Sequence, residues 1–66
     1  MGLTMGDKIK NLREKAGISQ TELADKLGLS KSVISAYEKG VRNPSFKVLP
    51  LLAETFNVSQ LYFFEK

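Results

Sequence analysis

Apolar residues along this chain come in short bursts at helical spacing. Most bursts open at a hydroxyl residue and close at glycine or asparagine. Met5, Ile9, Leu12 and Ala16 recur at i, i+4, i+7 and i+11, one face of an α-helix. With Thr4 as N-cap, Asp7 three residues on and Gly17 as terminator, this predicts a first helix from about Met5 to Lys15. Gly6 is expected to weaken its first turn. Ser19 and Glu22 form an S-x-x-E box opening a second helix, stapled by Ile18 and Leu23, lined by Leu23, Ala24 and Leu27, and stopped by Gly28. Ser30 opens a third helix, with Leu29 stapling to Ile34, and Gly40 ends it. Val33, Ile34 and Tyr37 point inward there, and Lys31, Ser32, Ser35, Ala36 and Lys39 make the opposite face.

The second half is less regular. Val41-Arg42-Asn43-Pro44 is turn chemistry. Ser45 is expected to cap a fourth helix with Phe46, Leu49, Leu52, Ala53 and Phe56 on its core face and Asn57 as its stop. Pro50 predicts a tight or kinked first turn, because proline donates no backbone hydrogen bond and crowds the carbonyl four residues back. Ser59 caps a short fifth helix holding Leu61, Tyr62, Phe63 and Phe64, with Val58 and Phe63 as its staple. No segment alternates with period 2, so strands are not expected. The whole, residues 1–66, reads as a single all-α domain.

Composition narrows the chemistry. The chain has no cysteine and no histidine, which removes disulfides, thiolate metal sites and the commonest general base. The acidic residues are scattered over exposed helix positions, and no glycine-rich phosphate cradle is present. An enzyme, a bound metal and a cofactor are therefore not expected. No apolar run approaches the ~18 residues of a membrane span and no signal peptide is read, so no membrane association and a cytoplasmic location are expected. The net charge is +3, but Leu29–Lys47 alone carries +3, against +1 before it and −1 after it. A local cationic field of this kind favours a polyanion.

Only Gly28-Leu29-Ser30 separates the second helix from the third. Helices joined so closely must cross steeply. The crossing needs a small residue, which Ala24 supplies, and a turn residue tolerant of positive φ, which Gly28 supplies. Leu23, Leu27, Leu29, Ile34 and Tyr37 stand at spacings that lock the pair into a core.

The segment Q-T-E-L-A-D-K-L-G-L-S-K-S-V-I-S-A-Y-E-K-G, Gln20 to Gly40, resembles the helix-turn-helix of the phage-repressor and Cro-like (lambda-repressor-like, XRE-type) family. L-R-E-K-A-G-I-S-Q before it and V-R-N-P-S after it are of the same type, so the likeness covers about Met5 to Phe63. It implies a compact five-helix DNA-binding domain with the helix-turn-helix at about 20–39. The expected function is sequence-specific double-stranded DNA binding by a transcriptional repressor of bacterial or phage origin, associated with the nucleoid. Members insert the second helix of the motif into the major groove. Lys31 to Lys39 would span about 13 Å at ~1.5 Å per residue, matching a groove roughly 12 Å wide. By this resemblance Lys31, Ser32, Ser35 and Ala36 would read base edges. Gln20, Ser30, Lys39, Arg42 and Asn43 would hold phosphates. Arg13 and Glu38 would pair in a salt bridge between the first and third helices. A homodimer on a palindromic operator is implied, with Leu61 and Phe64 as candidate interface residues. The alternative is a protein-interaction module, such as an antitoxin or bridging factor, using the aromatic patch at the C-terminal end.

Overall fold

The computed structural model describes residues 3–65. Met1, Gly2 and Lys66, which enter the domain range and charge sums above, lie outside the described residues. The fold consists of α1 (Met5–Ala16), α2 (Gln20–Leu27), α3 (Lys31–Lys39), α4 (Val48–Phe56) and a terminal 3-10 turn (Gln60–Phe64). No strand occurs among the described residues.

The first three helices begin where their hydroxyl residues can satisfy orphan backbone donors. Thr4 Oγ1 accepts from the Asp7 N–H at 3.1 Å, and Asp7 Oδ2 accepts from the Thr4 N–H at 3.1 Å. Ser19 and Glu22 repeat this reciprocal box at 3.0 Å in both directions. Ser30 Oγ accepts from the Val33 N–H at 3.3 Å. The α2–α3 turn depends on Gly28, whose φ is 70°. From that conformation Leu29 N–H reaches back to the Ala24 carbonyl at 2.8 Å, closing α2 while the chain reverses into α3.

One core joins the elements. Ile9, Leu23, Ile34 and Leu52 are fully buried at its centre, with Leu27, Tyr37, Leu49, Ala53 and Phe63 around them. Ala24, 2% exposed, is buried in that core on α2, which packs mainly on α3. α1 packs mainly on α3, and α4 closes the underside against α2 and the 3-10 turn.

Gly6 has a role the sequence reading did not assign. A β-carbon there would lie 2.5 Å from the Tyr37 carbonyl oxygen and 2.7 Å from that of Glu38. α1 therefore sits directly on the backbone of the last turn of α3, and only glycine permits that approach.

Four expectations are corrected. The fifth element is a 3-10 turn, so there are four α-helices among the described residues. Ser45 does not cap α4: the N-cap is Lys47, which makes no side-chain cap bond, and α4 starts at Val48. This start puts Pro50 in the first helical turn, where backbone N–H groups have no helical partner and its missing donor costs nothing. The Ser45 carbonyl instead accepts from the N–H groups of Val48 and Leu49, both at 3.0 Å. Phe46, assigned to the core face, consequently lies outside the helix and is 83% exposed. Ala16, assigned to the apolar face of α1, is exposed because the helix runs past the core at its end.

Gly6→Ala is expected to lower stability by about 1–3 kcal/mol through overpacking against backbone that cannot yield. On a bare helix the same change would stabilise by up to ~1 kcal/mol. Thermal unfolding reads the sign directly, and a raised melting temperature would show that α1 does not rest on those carbonyls.

Candidate nucleic-acid interface

α3 has a core side and an outward side, with half-buried residues on both. Ile34 and Tyr37 are buried and Val33 half-buried, so these face the core. Lys31, Ser32 and Lys39 are exposed, and Ser35 and Ala36 are half-buried. The outward stripe is thus hydrogen-bonding and cationic, with no large apolar side chain. Lys31, Ser32, Ser35 and Ala36 share it. The one acidic residue of α3, Glu38, is turned away into the protein.

Glu38 fixes the orientation of that stripe. Arg13 Nε of α1 lies 2.6 Å from Glu38 Oε2, and Arg13 Nη2 donates to Oε1 at 3.2 Å. Gln20 Nε2 of α2 donates to the same Oε1 at 3.1 Å. Arg13 Nη1 also donates to the Ile18 carbonyl at 2.9 Å, tying in the α1–α2 connection. The Arg13 and Glu38 side chains are 13% and 5% exposed. The hydrogen bond to Glu38 raises the Arg13 pKa above its ordinary value, outweighing the opposing effect of burial. One carboxylate therefore holds three helices, in the bidentate geometry that suits arginine.

The remaining residues singled out in the sequence lie around α3. Ser30 is exposed just before it, with its hydroxyl oxygen engaged in the cap and its O–H free to donate. Gln20 is half-buried, with one amide N–H used by Glu38. Arg42 and Asn43 are exposed in the following loop. That loop is fastened to α3: the N–H groups of Val41 and Arg42 both donate to the Ala36 carbonyl, at 3.0 and 3.3 Å. Leu61 and Phe64 are 72% and 60% exposed on the 3-10 turn, away from the core that takes Phe63. At three residues per turn, i and i+3 side chains eclipse, so these two form one apolar face.

Lys8 was missed by the sequence reading. It is 5% exposed, and its Nζ donates to the carbonyls of Tyr62, at 2.8 Å, and Glu65. The ammonium also stands 5.2 Å from the Tyr62 ring centroid, within cation–π range. A signal was present: Lys8 lies three residues after Met5 and four before Leu12, on the apolar face of α1.

A core-locked helix pair with a three-residue turn, presenting one basic polar helix face, defines the helix-turn-helix class. The family model described as helix-turn-helix matches residues 9–63, and the chain belongs to that family. The chain is 36% identical over 64 residues to the HTH-type transcriptional regulator ImmR of Bacillus subtilis, covering 97% of this chain and 50% of ImmR. It thus spans half the length of that relative. Among solved structures it is similar to the P22 c2 repressor bound to a synthetic operator, with a TM-score of 0.89, 29% identity and 94% coverage of both chains. It is also similar to SinR in complex with DNA, with a TM-score of 0.86, 33% identity, and coverage of 94% of this chain and 100% of that one.

Removing either partner of the Arg13–Glu38 pair is expected to cost about 3 kcal/mol or more, since the other charge is left nearly buried. A double-mutant cycle of Arg13→Ala and Glu38→Ala, followed by denaturant unfolding, should give a coupling energy above about 1 kcal/mol. Zero coupling would remove the pair from the account of how α3 is held.

Proposed function

We propose that this chain binds double-stranded DNA in a sequence-specific manner, as the DNA-binding part of a transcriptional repressor, with α3 in the major groove. The observation that carries this reading is the outward stripe of α3, hydrogen-bonding and basic, on a helix fixed from beneath by Glu38. The DNA-bound state of two similar structures, the P22 c2 repressor and SinR, supports it.

In this reading Lys31 donates to guanine O6 and N7, Ser32 and Ser35 exchange hydrogen bonds with base edges, and Ala36 meets a thymine methyl. Lys39, Arg42 and Asn43 hold phosphates beside the groove, and Ser30 adds its free O–H. Gln20 contributes through its remaining amide N–H and the backbone N–H groups at the start of α2, a favourable place for an anion. Phosphate contacts set register without reading sequence. One short helix reads few base pairs, so a homodimer on a palindromic site is part of the proposal, with Leu61 and Phe64 packing across the two-fold axis.

Oligonucleotide selection followed by binding measurements at several salt concentrations tests this. Affinity should fall steeply with salt, and Lys39→Ala should weaken binding to all sequences alike and lower the salt slope by about one phosphate. Ser32 or Lys31 substitutions should instead alter preference at particular base pairs, by ~1–3 kcal/mol. Absence of any salt-dependent duplex binding would overturn the reading. For the dimer, Leu61→Ser with Phe64→Ser is expected to preserve binding to a half-site while abolishing the cooperative two-to-one complex on the palindrome. Unchanged cooperativity would acquit both residues.

A further inference from the structure

Lys8 is buried on a face of α1 that also carries Met5, Ile9 and Leu12, and the stripe on α3 makes no use of it. An apolar residue at that position would join the same packing without the cost of drawing an ammonium out of water. What the ammonium adds is direction. Lys8 Nζ donates to the Tyr62 carbonyl at 2.8 Å and to the Glu65 carbonyl, and the Tyr62 ring stands against it with its centroid 5.2 Å away. Tyr62 in turn meets Phe63, the buried residue of the 3-10 turn, edge-on with ring centroids 5.7 Å apart.

The two carbonyls stand at telling places. Tyr62 follows Leu61 and Glu65 follows Phe64, so the ammonium grips the backbone one residue after each member of the exposed apolar pair. The 3-10 turn is only five residues long. Ser59 Oγ accepts from the Leu61 N–H at 3.2 Å at its start, Phe63 anchors its middle, and Lys8 takes carbonyls at its end. A turn free to roll about Phe63 would swing Leu61 and Phe64 away from a common surface. We infer that Lys8 is a positioning residue for the pairing of two copies: by holding the Tyr62 and Glu65 carbonyls from inside, it points Leu61 and Phe64 at the second copy. The inference rests on the homodimer proposed above and names the buried group that controls it. The polar contacts of Lys8 all lie on the 3-10 turn and the residue after it, whereas α3 is held through Glu38. Its effect is therefore on two-to-one assembly and not on the reading of a half-site.

That separation gives the test. Lys8→Met keeps an unbranched apolar stem and removes the donors. On the selected palindrome, cooperativity between two copies of the variant should fall roughly ten-fold, the scale of coupling between linked sites, while half-site affinity stays at the wild-type value. Lys8→Arg, which keeps donors for both carbonyls, should recover most of the loss. Circular dichroism at the working temperature establishes that each variant is folded. A role in stability alone would lower the melting temperature and leave the cooperativity of folded Lys8→Met intact, which would overturn the inference. So would an equal loss of half-site affinity, which would make Lys8 a support of the whole domain. Should Lys8→Met not fold, Lys8→Gln, whose amide can reach one carbonyl, should give a partial loss of cooperativity. Failure of both to fold would make Lys8 a requirement of the fold and overturn the narrower role. Loss of cooperativity in Leu61→Ser with Phe64→Ser, but not in Lys8→Met, would remove this inference and leave the dimer standing. Independent binding of two wild-type copies would remove the dimer as well and leave half-site recognition untouched.

Discussion

The Glu38 carboxylate is the constraint on which the rest of the molecule depends. It belongs to α3, yet its hydrogen bonds come from Arg13 on α1 and Gln20 on α2. A carboxylate so nearly removed from water is costly unless its lone pairs are filled, and here three N–H donors fill them. The arrangement is directional, because a planar guanidinium and a planar carboxylate meet well in few orientations. Rotation of α3 about its axis would break it. Gly6 acts at the same place, letting α1 touch the backbone of the turn that carries Glu38. Hydrophobic burial of Ile34 and Tyr37 supplies attraction without fixing angle. The polar contacts at Glu38 supply the angle, and so decide where Lys31, Ser32, Ser35 and Ala36 project.

Local chemistry made much of the fold readable. The extents of α2 and α3, and the start of α1, follow from Thr4, Ser19 and Ser30 and from Gly28 and Gly40, because caps and left-handed terminators act within a few residues of themselves. The stripe on α3 follows from periodicity alone. The start of α4 did not follow, because Ser45 carries the mark of a cap while Pro50 permits helix only if it falls in the first turn. The two signals conflicted, and the backbone requirement of proline prevailed. Phe46 was misplaced as a consequence.

Other features were unreadable for a different reason. The closeness of Gly6 to Tyr37 and Glu38 depends on how two distant helices meet, and within its own helix a glycine looks only like a weak residue. Lys8 stood on an apolar face, but nothing local reveals that carbonyls from the opposite end of the chain await it. The Arg13 and Glu38 pairing was reached through family likeness, since no spacing rule joins residues 25 apart. The division of cations is likewise tertiary: Arg13 and Lys8 are committed to internal acceptors, whereas Lys31, Lys39, Arg42 and Lys47 remain open to solvent.

The Lys8 contacts bridge 54 and 57 positions, nearly the length of the chain, against 25 for Arg13 and Glu38. Closing the longer loop costs about 0.7 kcal/mol more chain entropy than closing the shorter one. That contact fastens the first helix to the 3-10 turn, so the two extremities of the fold share one buried ammonium.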